Sequence, residues 1–391
     1  MSDIVILSGC RTAIGTFGGS LAATPPCDLA TAVAAAAMER AGLAPDRIGT
    51  AVFGHVINTE PRDMYLSRVA ALQAGIPDTV PAMNVNRLCG SGVQAVVSGA
   101  QALMLGDADF ALVGGAECMS RSPHILPAVR FGARMGDISG IDMMTGALTC
   151  PFVTGHMGVT AENVAAEAGI DREAQDAFAQ ESQRRAAEAI AAGRFDGQIV
   201  PVTVRRGREE VAFDRDEHPK ETSVEALAGL RPVFRKGGTV TAGNASGIND
   251  GAAALVLARA GAAHAAGLAP RARILGYAHA GVRPDVMGLG PIPATRALLA
   301  RTHLTVDDFD VVESNEAFAA QAIAVNRGLG LDPGRVNPNG GAIALGHPVG
   351  ATGAILVVKA LHELERTDGR RALVTMCIGG GQGIALAIER A

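Results

Sequence analysis

Aromatic residues are scarce in this chain of 391 residues, which has no tryptophan, 2 tyrosines and 11 phenylalanines. Proteins that hold single-stranded nucleic acids stack the bases on aromatic side chains. Long runs of one charge are also missing, and the formal net charge of −5 offers little attraction to a phosphate backbone. The sequence therefore predicts no nucleic acid among its partners.

Long hydrophobic runs and targeting segments are the next absences. We expect no apolar stretch to reach the roughly 18–20 residues of a membrane-spanning helix, and therefore no membrane partner. The beginning of the sequence lacks a basic segment followed by an apolar one, and its end carries no retention or peroxisomal signal. The resulting prediction is a cytoplasmic location.

Cysteine is sparse for a chain of this length. The 6 cysteines are Cys10, Cys27, Cys89, Cys118, Cys150 and Cys377. None forms a CxxC pair, and so few in so long a chain do not make a disulfide framework. We therefore predict reduced thiols and no metal site.

Glycine, in contrast, is abundant. The chain has 49 glycines, which is well above the roughly 7% of average usage. Hydrophobic residues make up 48% of the sequence and charged residues 19%, as in ordered globular proteins. We expect two or three domains with many tight turns and close backbone approaches.

An internal repeat with a period of about 260 residues organises the chain. Three pairs of segments resemble each other in the same order, namely 43–52 and 304–312, 111–115 and 372–376, and 251–257 and 383–388. Between these landmarks, Cys89 falls opposite His347. Several matches in one order at a nearly constant offset indicate duplication of one domain.

Each half alternates short Val-, Ile- and Ala-rich runs with helical stretches of about a dozen residues, which predicts an α/β fold of βαβ units. The first predicted helix has Asp28 as its N-cap and Gly42 just after its end. The first half breaks off near residue 119 and resumes near residue 250. The predicted domains are residues 1–118 with 250–270, an inserted substrate-binding loop domain over 119–249, and residues 271–391.

The insertion has a helical pattern of its own. Asp171 is placed to cap this helix and Gly193 to end it. One apolar stripe contains Ala174, Phe178, Ser182, Ala186 and Ile190. This pattern predicts a helix that packs along that stripe.

Two cysteines and one histidine lie on glycine-rich backbone. Residues 86–92 (NRLCGSG) place Cys89 at a predicted helix start, where free N–H groups and the helix dipole favour a thiolate. His347, in residues 340–350 (GGAIALGHPVG), is the candidate base for that thiol. Cys377 precedes a glycine run whose unhindered N–H groups suit a developing oxyanion. A second thiol there suits proton removal and return at the carbon next to a thioester carbonyl.

Each of these features also has a simpler interpretation. A lone cysteine near glycines is most often a small buried apolar residue, and a lone histidine is most often structural. Glycine runs alone predict only tight turns. The joint occurrence of all three favours covalent thiol chemistry.

Six motifs carry a resemblance to a known family over essentially the whole chain. They are residues 11–15 (RTAIG), 86–92 (NRLCGSG), 244–247 (NASG), 315–318 (NEAF), 341–353 (GAIALGHPVGATG) and 377–381 (CIGGG). In this set and order the chain resembles the thiolases, and among them the bacterial β-ketothiolases and acetyl-CoA C-acetyltransferases. The resemblance implies a thiolase fold with two repeated βαβαβαββ halves in five α-β-α-β-α layers and an inserted loop domain. It also implies a homotetramer formed as a dimer of dimers.

The activity implied by the resemblance is a reversible Claisen condensation. An acyl-CoA and acetyl-CoA would give a 3-ketoacyl-CoA and free CoA in two stages through an acylated cysteine, within fatty acid or polyhydroxyalkanoate metabolism. The partners would be acyl-CoA substrates, with no metal or redox cofactor. Cys89 would be the nucleophile, His347 its base, and Cys377 the acid and base at the α-carbon.

The resemblance assigns further roles at the site. Asn315 would hold a water that forms one oxyanion hole with His347. The backbone N–H groups of Cys89 and Gly379 would form the other. The coenzyme A tunnel would be lined by Leu148, His156, Met157, Ala242, Ser246 and Phe318, with Phe234 on the adenine side.

Two positions depart from the family pattern. Many relatives have an arginine near the nucleotide phosphates, whereas this chain has Lys220 in a shorter stretch, and lysine supplies charge without a bidentate fork. Cys118 replaces a residue that is commonly serine, and we have no functional interpretation of it.

Residues 59–66 (TEPRDMYL) resemble the broad-range bacterial β-ketothiolases.

Two alternatives come from other functional classes. A decarboxylating ketoacyl synthase on the same fold would need a Cys-His-His set, which Cys377 beside glycines argues against. A non-catalytic CoA or lipid carrier of thiolase ancestry would be expected to lose Cys89, His347 or Cys377, and all three are present.

Overall fold

The computed structural model describes residues 3–152 and 154–391. Residues 1 and 2, which the first predicted domain includes, and residue 153 in the predicted loop domain lie outside the described residues. The strands are β1 (Ile4–Thr12), β2 (Gly15–Thr16), β3 (Thr50–Gly54), β4 (Ala82–Val85), β5 (Phe110–Cys118), β6 (His124–Ile125), β7 (Ile141–Asp142), β8 (Thr149–Cys150), β9 (Gly155–His156), β10 (Ile199–Val200), β11 (Val202–Arg206), β12 (Glu209–Phe213), β13 (Asn249–Arg259), β14 (Ala272–Gly281), β15 (Val311–Ser314), β16 (Arg371–Ile378) and β17 (Gln382–Arg390).

The helices alternate with the strands in both halves. They are α1 (Pro26–Ala41), α2 (Leu66–Gln73), α3 (Ser91–Leu105), α4 (Met143–Ala147), α5 (Met157–Ala168), α6 (Arg172–Ala191), α7 (Val224–Ala228), α8 (Ala260–Ala265), α9 (Pro291–Thr302), α10 (Ala319–Leu329), α11 (Ala342–Leu345) and α12 (Thr352–Thr367). Apolar strands such as β5, with every residue buried, account for the inner parts of the sheets.

The strand order repeats between the two halves. The first half runs β4-β3-β5-β13-β1 and the second runs β15-β16-β17-β14. The second half lacks a full counterpart of β4, and in its place Val336 forms a single parallel bridge with Val312. The two halves join edge to edge, because β1 pairs with β14 at Val5 and Ile6. The repeated βαβαβαββ halves predicted for the fold are therefore confirmed.

Each predicted pair of repeat segments occupies equivalent places. Residues 111–115 lie in β5 and 372–376 in β16, the second-to-last strands of their halves, while β13 and β17 are the last strands. A single 3-10 turn follows α1 at Pro45–Arg47, and another follows α9 at Val306–Asp308. The sequence similarity therefore reflects a structural duplication.

Five layers arise from where the helices pack. α1 and α2 cover the outer face of the first half, and α9 covers that of the second, with α10 packed beside α9. α3 and α12 lie between the halves and contact each other, and α12 contacts strands of both. A Cβ at Gly92 would clash with the Ala354 backbone, and one at Gly353 would clash with the Val93 backbone. The two middle helices therefore cross at glycines that the repeat relates.

Two expectations about helices need correction. Asp28 does not cap α1, because the helix begins at Pro26, and proline suits the first turn since it has no N–H to satisfy. The stretch Leu88–Leu105, with a mean hydropathy of 1.3, is long and apolar enough to span a membrane by length and composition. Its apolar character has a structural cause, since it includes α3 of the middle layer, and 56% of the window is buried.

The helix predicted in the insertion is α6. Asp171 caps it by accepting a hydrogen bond from the backbone N–H of Ala174 at 2.8 Å. Gly193, with φ +66°, follows its end in the left-handed conformation. Ser182 and Ala186 of the predicted stripe are buried, but the buried face is rotated toward Ala179 and Ala189.

The segment between β5 and β13 is anchored to the first half by a buried ion pair. Arg11 at the end of β1 donates two hydrogen bonds to the Asp216 carboxylate, at 2.7 and 2.8 Å, and both side chains are fully buried. β10 also pairs with β1 in parallel. This segment therefore lies over the ends of the strands, where the reactive residues are found.

Candidate active site

A cavity of about 500 Å³ lies beneath the inserted segment. The described residues that line it include every predicted site residue except Asn315 and Cys377. The predicted residues on its wall are Cys89, His347, Gly379, Leu148, His156, Met157, Lys220, Phe234, Ala242, Ser246 and Phe318. The structure thus brings residues from both halves and the insertion to one space.

Cys89 lies in a strained turn just before α3. Leu88 has φ +46°, a conformation that is costly for a side chain of its size. The Ser91 hydroxyl stabilises this turn, because it donates to Leu88 O at 2.6 Å and accepts from the Arg87 N–H at 2.9 Å. A Cβ at Gly90 would clash with Ile378. The turn presents the Cys89 sulfur to the cavity.

The Cys89 thiol does not match the expectation of a favoured thiolate. Burial raises the pKa of Cys89 to about 11, and hydrogen bonds from the backbone N–H groups of Gly379 and Cys89 itself oppose the rise only in part. Desolvation by the cavity walls raises the pKa of Cys89 by more than the start of α3 lowers it. Cys89 is therefore a thiol at neutral pH and needs a base. The two N–H groups that reach its sulfur are those predicted for an oxyanion hole.

His347 precedes α12 and is 5% exposed. Its Nδ1 lies 2.7 Å from Thr352 Oγ1, and its backbone N–H donates to Asn249 Oδ1 at 2.9 Å. Burial lowers the pKa of His347 to about 4. The imidazole is therefore neutral at pH 7, the state that a base requires.

Asn315 follows β15 and is fully buried. Its Nδ2 lies 3.5 Å from His347 Nε2. Within the described part of the chain its Oδ1 is buried and without a hydrogen-bond partner. The adjacent Glu316 holds this loop, because its carboxylate accepts from the Ser182 hydroxyl at 2.7 Å and from Asn337 Nδ2 at 2.8 Å.

Cys377 lies at the end of β16, behind the cavity wall. It is fully buried and packs in one apolar cluster with Met157, Met287 and Phe318. Burial and the neighbouring Cys89 raise the pKa of its thiol. The two thiols therefore lie close enough to interact electrostatically, and both are protonated at rest.

Aromatic rings form one wall of the cavity. His156 stacks on Phe234 with centroids 4.8 Å apart, and Phe234 meets Phe318 edge-on at 6.1 Å. Gly158 makes room for this stack, since a Cβ there would clash with the Phe234 ring. Lys220 lies at the same cavity, and its backbone N–H donates to Gln183 Oε1 at 2.9 Å. The wall offers a flat apolar surface with one cation beside it.

Family models match nearly the whole chain. The thiolase N-terminal domain matches residues 4–261 and the thiolase C-terminal domain residues 268–390. The chain belongs to the thiolase family. It is 58% identical to beta-ketothiolase BktB of Cupriavidus necator over 390 residues, 99% of either chain. It is 50% identical to the acetyl-CoA acetyltransferase of Escherichia coli over 393 residues, 100% of either chain.

Solved structures agree with the family. This thiolase matches human mitochondrial 3-ketoacyl-CoA thiolase with a TM-score of 0.98 and 41% identity, over 100% of this chain and 99% of the other. A further structure of the human enzyme, in complex with CoA, matches with a TM-score of 0.97. The thiolase fold expected from the motifs is confirmed.

The sequence analysis missed two residues of the thiolase site. Thr352 contacts His347, and the only signal of this contact in the sequence is that the two residues are five positions apart. Glu117 is buried and accepts from the backbone N–H groups of Val56, Ile57 and Gly350, which ties two cavity loops together. No local pattern marks such a carboxylate, because its partners come from distant segments.

Proposed function

We propose that this thiolase condenses an acyl-CoA with acetyl-CoA to a 3-ketoacyl-CoA and free CoA, and catalyses the reverse thiolysis. The arrangement of Cys89, two backbone N–H groups at its sulfur and a neutral His347 beside one cavity carries this proposal. The names of the two relatives, beta-ketothiolase and acetyl-CoA acetyltransferase, support the same acyltransferase activity.

Acyl transfer to Cys89 is the first stage. His347 takes the thiol proton as the sulfur attacks the thioester carbonyl, and that proton goes to the departing CoA sulfur. The raised pKa of Cys89 and the lowered pKa of His347 leave the proton on the thiol at rest, so it moves to His347 only as the sulfur attacks the carbonyl. The N–H groups of Cys89 and Gly379 would hold the oxygen of the acyl-enzyme.

Carbon–carbon bond formation is the second stage. Cys377 would act as a thiolate once His347 has taken its thiol proton. It then takes an α-proton from acetyl-CoA, and the carbanion attacks the Cys89 thioester. The α-proton remains on Cys377, and His347 gives the proton it holds to the Cys89 sulfur as the product leaves. Asn315, through a water, and the Nε2–H that His347 carries while it is protonated would hold the enolate oxygen. In thiolysis the Cys377 thiol instead protonates the departing enolate carbon.

No metal or redox cofactor enters the proposed reaction, because the thioester itself activates both the carbonyl and the α-carbon. The stacked His156–Phe234 wall and Lys220 would hold the coenzyme A part of the substrates. The reaction would serve fatty acid or polyhydroxyalkanoate metabolism in the cytoplasm.

The proposed assembly is a homotetramer, a dimer of dimers. Its support is the exposed apolar segment between β6 and β7, where Phe131 is 94% and Met135 96% exposed. Such a patch on a soluble surface marks an interface, and a second copy of this chain is the occupant we propose. Phe131→Ser with Met135→Ser should lower the mass measured by light scattering from a tetramer to a dimer. If the double variant keeps the mass of a tetramer, this segment is not the contact between copies.

Thiolysis tests the activity directly. Purified protein, free CoA and either acetoacetyl-CoA or 3-ketovaleryl-CoA should give cleavage without added cofactor. Cys89→Ala should lower the rate by about 10⁴-fold or more, since removal of a nucleophile leaves only binding and oxyanion stabilisation. Cys10→Ala removes a buried thiol of β1 that donates to Val33 O and serves as the matched control with unchanged activity. Failure of folded protein to cleave either substrate would contradict the proposal.

A further inference from the structure

The His347 ring is held between two partners of opposite hydrogen-bonding character. On one side, Thr352 Oγ1 lies 2.7 Å from Nδ1. On the other, Asn315 Nδ2 lies 3.5 Å from Nε2. A neutral imidazole carries one N–H and one lone pair, so these partners decide which nitrogen bears the proton.

The Thr352 hydroxyl has its single proton already engaged. Thr352 is the first residue of α12, and its Oγ1 donates to Pro348 O at 2.8 Å, one helical turn back. With its proton directed to Pro348 O, the hydroxyl acts toward His347 as an acceptor. Nδ1 must carry the proton that fills this 2.7 Å contact.

The opposite side of the ring leads to the same tautomer. The Asn315 amide turns its Nδ2, a donor, toward Nε2. A donor facing Nε2 requires a lone pair on that nitrogen. Both contacts are shielded from water, since Thr352 is 2% exposed and Asn315 fully buried.

We propose that Thr352 is a positioning residue that fixes His347 in the Nδ1–H tautomer, so that the Nε2 lone pair is kept for the reacting proton. The inference rests on the proposed role of His347 as the base for Cys89. In a Ser-His-Asp triad the orienting partner is a carboxylate, which also stabilises the imidazolium. A neutral hydroxyl orients the ring without holding the proton on it, which suits a base that must pass the Cys89 proton directly to CoA.

The ring tautomer can be measured in the wild-type protein. Uniform ¹⁵N-histidine labelling, with His347→Asn to assign the signal, should give a protonated Nδ1 and an unprotonated Nε2 at pH 7. A protonated Nε2 in the wild type would overturn the inference whatever the activity. An inactive wild type with the expected tautomer would instead count against the proposed function alone.

Substitution provides the kinetic test. Thr352→Val keeps the shape and removes the hydroxyl. kcat for thiolysis should fall at least about tenfold, which is part of the roughly 10²- to 10⁴-fold that a positioned base contributes. KM for CoA should stay within about twofold, because Thr352 lies behind the ring and away from the cavity wall. The ¹⁵N signals of His347 should move toward a mixture of tautomers. Thr352→Ser restores the acceptor and should return both kcat and the wild-type signals.

The same helix offers a matched control. Thr367, the last residue of α12, donates to Glu363 O at 2.8 Å in the same one-turn contact but touches no histidine. Thr367→Val should leave kcat and the His347 signals unchanged. If Thr352→Val keeps wild-type kcat, or lowers it without changing the ring signals, Thr352 has only a structural role.

Discussion

The two halves of the molecule place a reactive side chain at the same point, just before the helix of the middle layer, yet surround it differently. Cys89 lies in a strained turn on the cavity wall, whereas His347 is almost wholly buried against Thr352 and Asn249. The duplicated framework sets the positions, and the loops of each half set the chemistry.

The connection from β5 to β13 differs even more from the connection between β16 and β17. Between β5 and β13 the chain inserts residues 119–248, while β16 and β17 are joined by the tight turn 379–381. The insertion supplies the cavity wall and desolvates Cys89. The short turn instead brings Cys377 and the Gly379 N–H to the same sulfur. One half thus provides substrate contact and the nucleophile, and the other provides proton transfer and oxyanion support.

The largest test of this division of labour is Cys377→Ala. If Cys377 supplies only proton transfer at carbon, its removal should lower thiolysis and condensation by about 10³-fold or more. Acylation of Cys89 by acetyl-CoA, measured by intact mass, should persist because the first half and His347 are unchanged. Loss of the acylated mass together with turnover would show that the two halves do not divide the reaction in this way.

The buried position of His347 gives a pH test. Its folded-state pKa of about 4 lies below the unfolded value of about 6.5. The unfolded state therefore binds the proton more readily between these values, so stability is fully present above about pH 6.5 and declines as the pH falls toward 4. The loss from this one group is about 3 kcal/mol at most.

Chemical denaturation at pH 7 and at pH 4.5 measures this effect. His347→Asn should reduce the difference in unfolding free energy between the two pH values. His264→Asn, which replaces an exposed ring on α8, should leave the difference as it is in the wild type. An equal pH dependence in all three proteins would contradict the burial argument.

The smallest expected effect concerns the crossing of the two middle helices. Gly92→Ala forces a Cβ against the Ala354 backbone and should cost about 1–3 kcal/mol in the free energy of unfolding. Gly353→Ala should cost a similar amount, because it is the repeat-related position on the other helix. Gly261→Ala, on α8 with open space around it, is the control and should be neutral or slightly stabilising. Unequal costs at Gly92 and Gly353 would show that the crossing is less symmetric than the repeat.

Much of the fold could be predicted from the sequence because a duplication leaves evidence at several places. The matched segments directly predict that β5 corresponds to β16 in the repeat and that β13 corresponds to β17. The single bridge at Val336 could not be predicted, since a strand shortened to one residue pair has no pattern of its own. The prediction that Asp28 caps α1 was wrong, because the helix begins at Pro26.

At the site, motif positions predicted which residues meet, but not their protonation. Cys89 and His347 carry pKa values moved in opposite directions by the same burial. That burial depends on walls contributed by segments far away in the sequence. The contact between Thr352 and His347 likewise depends on the start of α12, which the glycine pattern alone does not locate.

The position of β13 has a consequence for how the chain is made. This strand lies between β5 and β1 and pairs Arg259 with Ile4, so the sheet of the first half contains one of the longest sequence separations in the molecule. Long-range strand pairing is slow to form, and the insertion must leave the ribosome before β13 can arrive. The second half needs only its own contiguous chain from β14 to β17. The half that is synthesised first therefore cannot close its sheet until two thirds of the protein exists, and its edges need protection from aggregation during that interval.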